Sequence, residues 1–142
     1  MSDASPRQFV DTNVVVYAYD QTAGLRYTRA RELMSALWAL HSGCLSMQVL
    51  QEFHVTATLR LAVPLSLDEA RRVVADLAHW TVHRPDVNDL LEAIRIQSRY
   101  RISFWDALIL QSAIRLGCET LWSDDLNPGQ TYDGVTVSNP FA

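Results

Sequence analysis

The chain has 142 residues, a length that suits one globular domain over 1–142 and is short for two. With 49% hydrophobic and 20% charged residues, it is predicted to build a packed core, which excludes a disordered or collagen-like chain. The net charge of −4 argues against a general nucleic-acid coat protein. We expect a soluble cytoplasmic protein with no membrane partner, because no stretch resembles a membrane span or a secretory signal.

The first elements are a strand and a helix separated by an ambiguous segment. Residues 8–11 predict a short strand that ends in Asp11. The apolar run 14–19 leaves two alternatives open: its β-branched residues favour a continuing strand, whereas a βα unit needs a helix that starts in a turn. Apolar residues at three- and four-residue steps predict a helix over 26–40. Gly43 is typical of a helix C-cap, and a short buried strand is predicted after it.

Four further helices follow in the pattern, at 47–61, 66–79, 86–100 and 104–116. Ser66 and Glu69 form a capping-box pattern, and Ser103 is predicted to cap the last helix. That last helix is apolar nearly all round and is therefore expected at the centre of the molecule. In the helix that Asp86 begins, we expect the apolar positions to be buried: Val87, Leu90, Leu91, Ile94 and Tyr100.

Short strands are predicted at 80–83, 120–123 and 135–137. Strands that alternate with helices indicate an α/β sandwich with a mostly parallel central sheet and helices on both sides. In such sheets ligands bind beyond the carboxyl ends of the strands. The acids near those ends are therefore the candidate functional residues.

Acids from four separate parts of the chain are predicted to meet at this edge: Asp11, Glu52, Asp106 and the pair Asp124 and Asp125. Clustered carboxylates repel one another unless a cation lies between them. Mg²⁺ and Mn²⁺ are hard cations that prefer oxygen ligands, and such ions hydrolyse phosphodiester bonds by activating water. The pattern therefore favours a metal site for phosphodiester hydrolysis.

Each acid also has an ordinary structural explanation. Asp106 stands at capping-box spacing from Ser103, and Asp11 has the composition of an Asx turn. Glu52 can be a solvated helix residue, and the pair at 124–125 fits a polar loop. Their joint placement carries the hypothesis, since four accidents at one sheet edge are less probable than one.

Four segments, in this order, resemble those of PIN-domain proteins: Phe9-Val10-Asp11-Thr12-Asn13-Val14, Glu52 within residues 49–53, Phe104-Trp105-Asp106-Ala107-Leu108-Ile109, and Leu121-Trp122-Ser123-Asp124-Asp125-Leu126. The tail over 129–141 resembles the ending of one common subgroup. Nearly the whole chain is covered, and it is similar to VapC-type ribonuclease toxins of type II toxin–antitoxin systems.

The resemblance implies a PIN-like three-layer fold and a Mg²⁺- or Mn²⁺-dependent endoribonuclease. The metal ligands and catalytic acids would be Asp11, Glu52, Asp106 and Asp125, with Asp124 a weaker candidate because the family pattern is variable at its position. Asn13 and Ser123 match the positions that orient ligands or water. An RNA substrate, a cognate antitoxin and a homodimer are the partners that the resemblance implies.

Other residues are interpreted more simply. Arg99 and Arg101 are the candidates for RNA phosphate contacts, with Arg26, Arg29 and Arg31 as second choices. The four tryptophans are assigned to core or interface in preference to base stacking. Two alternative functions stay open: a PIN-like nuclease for DNA or flap structures, and a module that binds RNA or protein without cutting.

Overall fold

Within residues 5–142, the computed structural model contains six strands and six helices. The strands are β1 (Gln8–Val10), β2 (Gly43–Ser46), β3 (Thr81–His83), β4 (Thr120–Trp122), β5 (Thr131–Tyr132) and β6 (Val135–Ser138). The helices are α1 (Thr12–Tyr17), α2 (Leu25–Leu40), α3 (Met47–Leu59), α4 (Leu67–Leu77), α5 (Val87–Tyr100) and α6 (Phe104–Arg115).

The strands form one sheet in the order β3-β2-β1-β4-β6-β5. Every neighbouring pair is parallel except β5 and β6, which form an antiparallel pair at one edge. The predicted mostly parallel α/β architecture is confirmed. The edge strand β5 was not predicted, because its two residues are too few to carry an alternating pattern.

Helices flank the sheet in two groups, as the three-layer prediction requires. In one group α1 packs against α2 and α3, and α3 packs against α4; in the other, α5 packs against α6. Helix α6 contacts β2, β4 and β6 and is buried along most of its length, which confirms its predicted central place. The buried residues form one hydrophobic core around the sheet.

The ambiguous run after Asp11 is helical. Asp11 is the N-cap of α1, and its side chain accepts a hydrogen bond from the backbone N–H of Thr12. Val14 and Val15 are fully buried between the sheet and the neighbouring helices. Packing therefore overrides the β preference of these branched residues.

Gly43 is not a helix cap. His41 ends α2 in the left-handed conformation, with a φ of 55°, and Gly43 is the first residue of β2. A Cβ built on Gly43 would lie 2.3 Å from the ring of Trp80. The glycine is therefore needed for close packing of an aromatic ring, a requirement that the local sequence does not reveal.

The predicted burial of α5 is wrong for most of its apolar positions. Four of them form an exposed stripe at helical spacing, namely Val87, Leu90, Leu91 and Ile94, and Leu91 is 59% exposed. The helix is instead anchored through Asp89, Ala93 and Ile96. Its hydrophobic periodicity is real, but the stripe faces away from the core of this chain.

A search of the described residues for a helix long and apolar enough to cross a membrane finds none. The two cysteines, Cys44 and Cys118, are buried and free of disulfide bonds.

Candidate active site

The candidate site lies where the parallel strands β1, β2 and β4 end. Asp11 follows β1 directly, Ser123 follows β4, and Ser46 at the end of β2 caps the helix that carries Glu52. Because these strands run the same way, their carboxyl ends meet at one edge of the sheet. Residues far apart in the chain are thereby brought to one place.

Asp11 is the buried member of the site. Its carboxylate accepts a hydrogen bond from the Ser123 hydroxyl at 2.8 Å and another from the Thr12 backbone N–H at 2.7 Å. Burial raises the pKa of Asp11 from 3.8 to about 7, an effect that these two hydrogen bonds oppose and that the charges of Asp125 and Asp106 reinforce. The site therefore holds a carboxylate whose charge is poorly compensated by the protein.

Glu52 reaches the same place from the second turn of α3. Its Oε1 accepts hydrogen bonds from the Thr12 hydroxyl at 2.8 Å and, more weakly, from the Gln48 side chain at 3.4 Å. Thr12 thus connects Glu52 with the residue next to Asp11. These two contacts fix the orientation of the Glu52 carboxylate. A solvated helix residue without a functional role would not need a fixed orientation.

Asp106 lies in the first turn of α6. The Ser103 hydroxyl accepts from the Asp106 backbone N–H at 3.1 Å, so the predicted cap is present. Within the described residues, the Asp106 carboxylate accepts no reciprocal hydrogen bond from the backbone N–H of Ser103. The carboxylate instead lines the cleft. Ser103 therefore provides the helix start, and Asp106 contributes its charge to the site.

Asp124 and Asp125 differ in their surroundings. The backbone N–H of Asp125 donates to Ser123 Oγ at 3.1 Å, and its side chain lines the cleft with the other acids. Asp124 instead forms an ion pair with Arg26 at 3.3 Å. The amide of Asn13 lies 3.4 Å from the nearest carboxylate oxygen of both acids, which suits its predicted orienting role.

The acids act on one another electrostatically. Burial raises the pKa of Asp125, and so do the neighbouring charges of Asp124, Asp106 and Glu52. Four of the acids line one open cleft of about 470 Å³, namely Asp11, Glu52, Asp106 and Asp125. The cleft is lined by Asp11, Thr12, Asn13, Gln48, Gln51, Glu52, Val55, Thr56, Arg60, Trp105, Asp106, Ile109 and Asp125.

The donor set fits a hard divalent cation. The acids offer carboxylate oxygens, and a cation among them would stabilise the charged forms of Asp11 and Asp125, whose pKa values are raised by burial and, to a smaller extent, by the neighbouring acids. Within residues 5–142, no three His, Cys, Asp or Glu side chains converge tightly enough to form a ready-made ligand cluster.

Several residues lie differently from the sequence-based expectation. Arg99 is paired with Asp133 at 3.5 Å and Arg101 ends α5 in the left-handed conformation, and neither lines the cleft. Arg60 does line it, and so does Trp105, although neither was predicted to. Arg60 follows α3 by one residue, and no motif marks it. Trp105 adjoins Asp106, which was a usable signal.

Comparison with known protein families gives a clear match. The model of the PIN domain matches residues 9–131. The chain belongs to the PIN domain family. The matched range includes Asp11, Glu52, Asp106 and Asp125, the four acids of the cleft.

Solved structures share the fold of this PIN-domain protein. One is a toxin–antitoxin complex from Klebsiella pneumoniae, with a TM-score of 0.66, 20% identity, and coverage of 94% of this chain and 98% of that one. A second is VapC20 from Mycobacterium tuberculosis, described as a sarcin-ricin loop cleaving toxin (TM-score 0.62, 20% identity, coverage 83% and 89%).

A third is FitAcB from Neisseria gonorrhoeae, with a TM-score of 0.59, 17% identity, and coverage of 94% and 97%. At these identities the likeness concerns the fold. A search of curated protein sequences finds no match for this PIN-domain protein.

Proposed function

We propose that this PIN-domain protein is a metal-dependent endoribonuclease, the toxin of a toxin–antitoxin pair, and that residues 1–142 act as one domain. The observation that carries the proposal is the placement of Asp11, Glu52, Asp106 and Asp125 in one cleft, from four separate segments. Buried or crowded carboxylates cost stability, and they are kept where function needs the charge. Membership of the PIN family supports the same reading.

The acids of the cleft and the polar residues bonded to them have distinct roles in this proposal. Asp11, Glu52, Asp106 and Asp125 would hold Mg²⁺ or Mn²⁺, with Asp124 at the margin because Arg26 already neutralises it. When bound, such a cation supplies Lewis-acid charge for a phosphate and activates water for its hydrolysis. Ser123 and Thr12 fix the carboxylates of Asp11 and Glu52, and Asn13 orients the acids after β4.

RNA binding needs cations to meet the backbone phosphates. Arg60 lies on the wall of the cleft and is the phosphate contact that the geometry favours. Arg99 and Arg101, the contacts predicted from sequence, lie outside the cleft lining, where they can meet a longer RNA only beyond the scissile bond. The cytoplasm is the compartment in which such a substrate would be found.

An antitoxin is the proposed protein partner. One of the similar structures supports it, because it is described as a toxin–antitoxin complex. An antitoxin that covers the cleft, or that pairs with its acids through a basic residue, would silence the enzyme until it is removed.

A second copy of the chain is the other proposed partner, and α5 is the surface we assign to it. Helix α5 carries an exposed apolar stripe that consists of Val87, Leu90, Leu91 and Ile94. Antiparallel pairing of two α5 helices about a two-fold axis would bury the stripe of each copy against that of the other.

The test of the proposed function is cleavage of end-labelled RNA by the purified chain with Mg²⁺, with Mn²⁺ and with EDTA. Cleavage inside the RNA that EDTA abolishes is the expected result. A DNA strand of the same sequence and a DNA flap substrate, run in parallel, separate the ribonuclease from the alternative nuclease. Binding of RNA without cleavage under any metal condition would favour the non-catalytic module and contradict the proposal.

A further inference from the structure

Trp105 is the most exposed tryptophan of the chain, with 62% of its surface open to solvent. It lies in the first turn of α6, directly before Asp106. Phe104 contacts its ring edge-on, with ring centroids 5.2 Å apart. A large, flat aromatic side chain that is exposed beside a polar cleft is available to contact a ligand bound there.

A second cleft, of about 690 Å³, adjoins the acidic one. Three residues line both clefts: Trp105, Gln48 and Gln51. Met47 and Leu108 give the second cleft apolar walls, and Arg84 lies at its margin. Trp105 therefore stands at the boundary between the acids and a larger, less polar space.

We infer that Trp105 stacks on an unpaired base of the RNA substrate, and that the second cleft accommodates the nucleotide next to the scissile phosphate. This inference rests on the proposed function, because it assumes that RNA reaches the acidic cleft. Aromatic side chains bind single-stranded RNA by stacking on bases, which all present a flat π-face. The order of residues along α6 places such a face beside Asp106.

The remaining lining supports a nucleotide as the occupant. Gln51 is exposed, and its side chain makes no hydrogen bond within the described residues 5–142, so its amide has both a donor and an acceptor to offer to a base edge. A phosphate bound among the acids would have a neighbouring nucleotide near Trp105, because Trp105 lines the acidic cleft and also the second cleft. A bound protein segment has no phosphate to place among the acids, so the same argument does not apply to it.

The test uses short single-stranded RNAs in which 2-aminopurine, a base whose fluorescence falls on stacking, is moved one position at a time. Ca²⁺ replaces Mg²⁺, and gel analysis verifies that the RNA stays intact. Wild-type protein should quench the fluorescence at one or two positions. Trp105→Ala should abolish that quenching and weaken binding by about tenfold to a hundredfold, while Trp105→Phe retains most of both.

Trp38→Ala is the matched control. Trp38 lies on α2, is also exposed, packs against Trp80 and lines neither cleft. It should leave quenching and binding unchanged. Sedimentation of Trp105→Ala should equal that of wild type, whereas a shift with intact quenching would assign Trp105 to a protein interface and overturn the inference.

Failure of the inference differs from failure of the proposed function. If wild type binds and cuts RNA but Trp105→Ala quenches normally, or if wild type quenches at no position, only the stacking role is overturned. If wild type neither binds nor cuts RNA, both are overturned.

Discussion

Ser123 donates its hydroxyl hydrogen to Asp11 Oδ2 across 2.8 Å, although the two residues lie 112 positions apart in the chain. The same hydroxyl oxygen accepts a hydrogen bond from the backbone N–H of Asp125. Ser123 is completely buried, so neither bond competes with water. One side chain therefore fixes the ends of β1 and β4 relative to each other and positions two of the cleft acids.

Ser123→Ala removes both hydrogen bonds and leaves the buried Asp11 carboxylate short of a donor. Residues that orient metal ligands typically change activity by about tenfold to a hundredfold when they are lost. We expect a decrease of that size in the turnover number for RNA cleavage, with a loss of about 1–2 kcal/mol in the free energy of unfolding. Ser35→Ala, at an exposed position on α2, is the control, and wild-type turnover in Ser123→Ala would contradict the positioning role.

The burial of Asp11 predicts how the stability of the metal-free protein depends on pH. Because the folded-state pKa is raised from 3.8 to about 7, the folded protein binds more protons than the unfolded chain between these values. Stability contributed by this group therefore falls as pH rises from about 4 to about 7, and it stays low above pH 7. Asp11→Asn removes the carboxylate charge and with it the loss of stability at high pH.

In EDTA at pH 8, Asp11→Asn should be more stable than wild type by about 1–3 kcal/mol, and the difference should shrink toward pH 4. Urea denaturation at both pH values measures it. Addition of Mg²⁺ should stabilise wild type and narrow the gap, because a ligand that binds only the folded state raises stability. An Asp11→Asn variant that is less stable than wild type at pH 8 would show that the Asp11 charge is well compensated.

The exposed stripe on α5 predicts a dimer that a single charge disrupts. Leu91→Asp places a carboxylate at the middle of the stripe, where burial against a second copy would desolvate it. Analytical ultracentrifugation should show a dimer for wild type and a monomer for this variant. Leu59→Asp introduces the same change at the exposed end of α3 and should remain dimeric. Monomeric wild type at micromolar concentrations would contradict the assignment of α5.

The sequence was sufficient to predict most of the fold and the meeting of Asp11, Glu52, Asp106 and Asp125 at one edge of the sheet. Caps and periodicity located the helices, since Ser66 and Ser103 accept the predicted backbone hydrogen bonds. The cleft acids could be found because parallel strands force residues at their carboxyl ends together. In these cases the local pattern and the global packing agree.

The remaining features depend on contacts that no local pattern records. The stripe on α5 has the periodicity of a buried face, and sequence alone does not say whether the covering surface belongs to the same chain. Gly43 looks like a cap because the ring of Trp80 above it comes from a distant segment. Arg60 reaches the cleft from the end of α3, and only the three-dimensional path of the chain shows this.

The central claim is that the carboxylates of the cleft, acting together, cut RNA with a divalent cation. The most direct test compares Asp106→Asn, which removes one cleft charge at nearly constant shape, with Asp76→Asn, the same change at an exposed position on α4. With Mg²⁺ or Mn²⁺ and end-labelled RNA, wild type and Asp76→Asn should cleave, and Asp106→Asn should lose at least about a hundredfold in rate with unchanged circular dichroism. Cleavage by Asp106→Asn at the wild-type rate would contradict the claim.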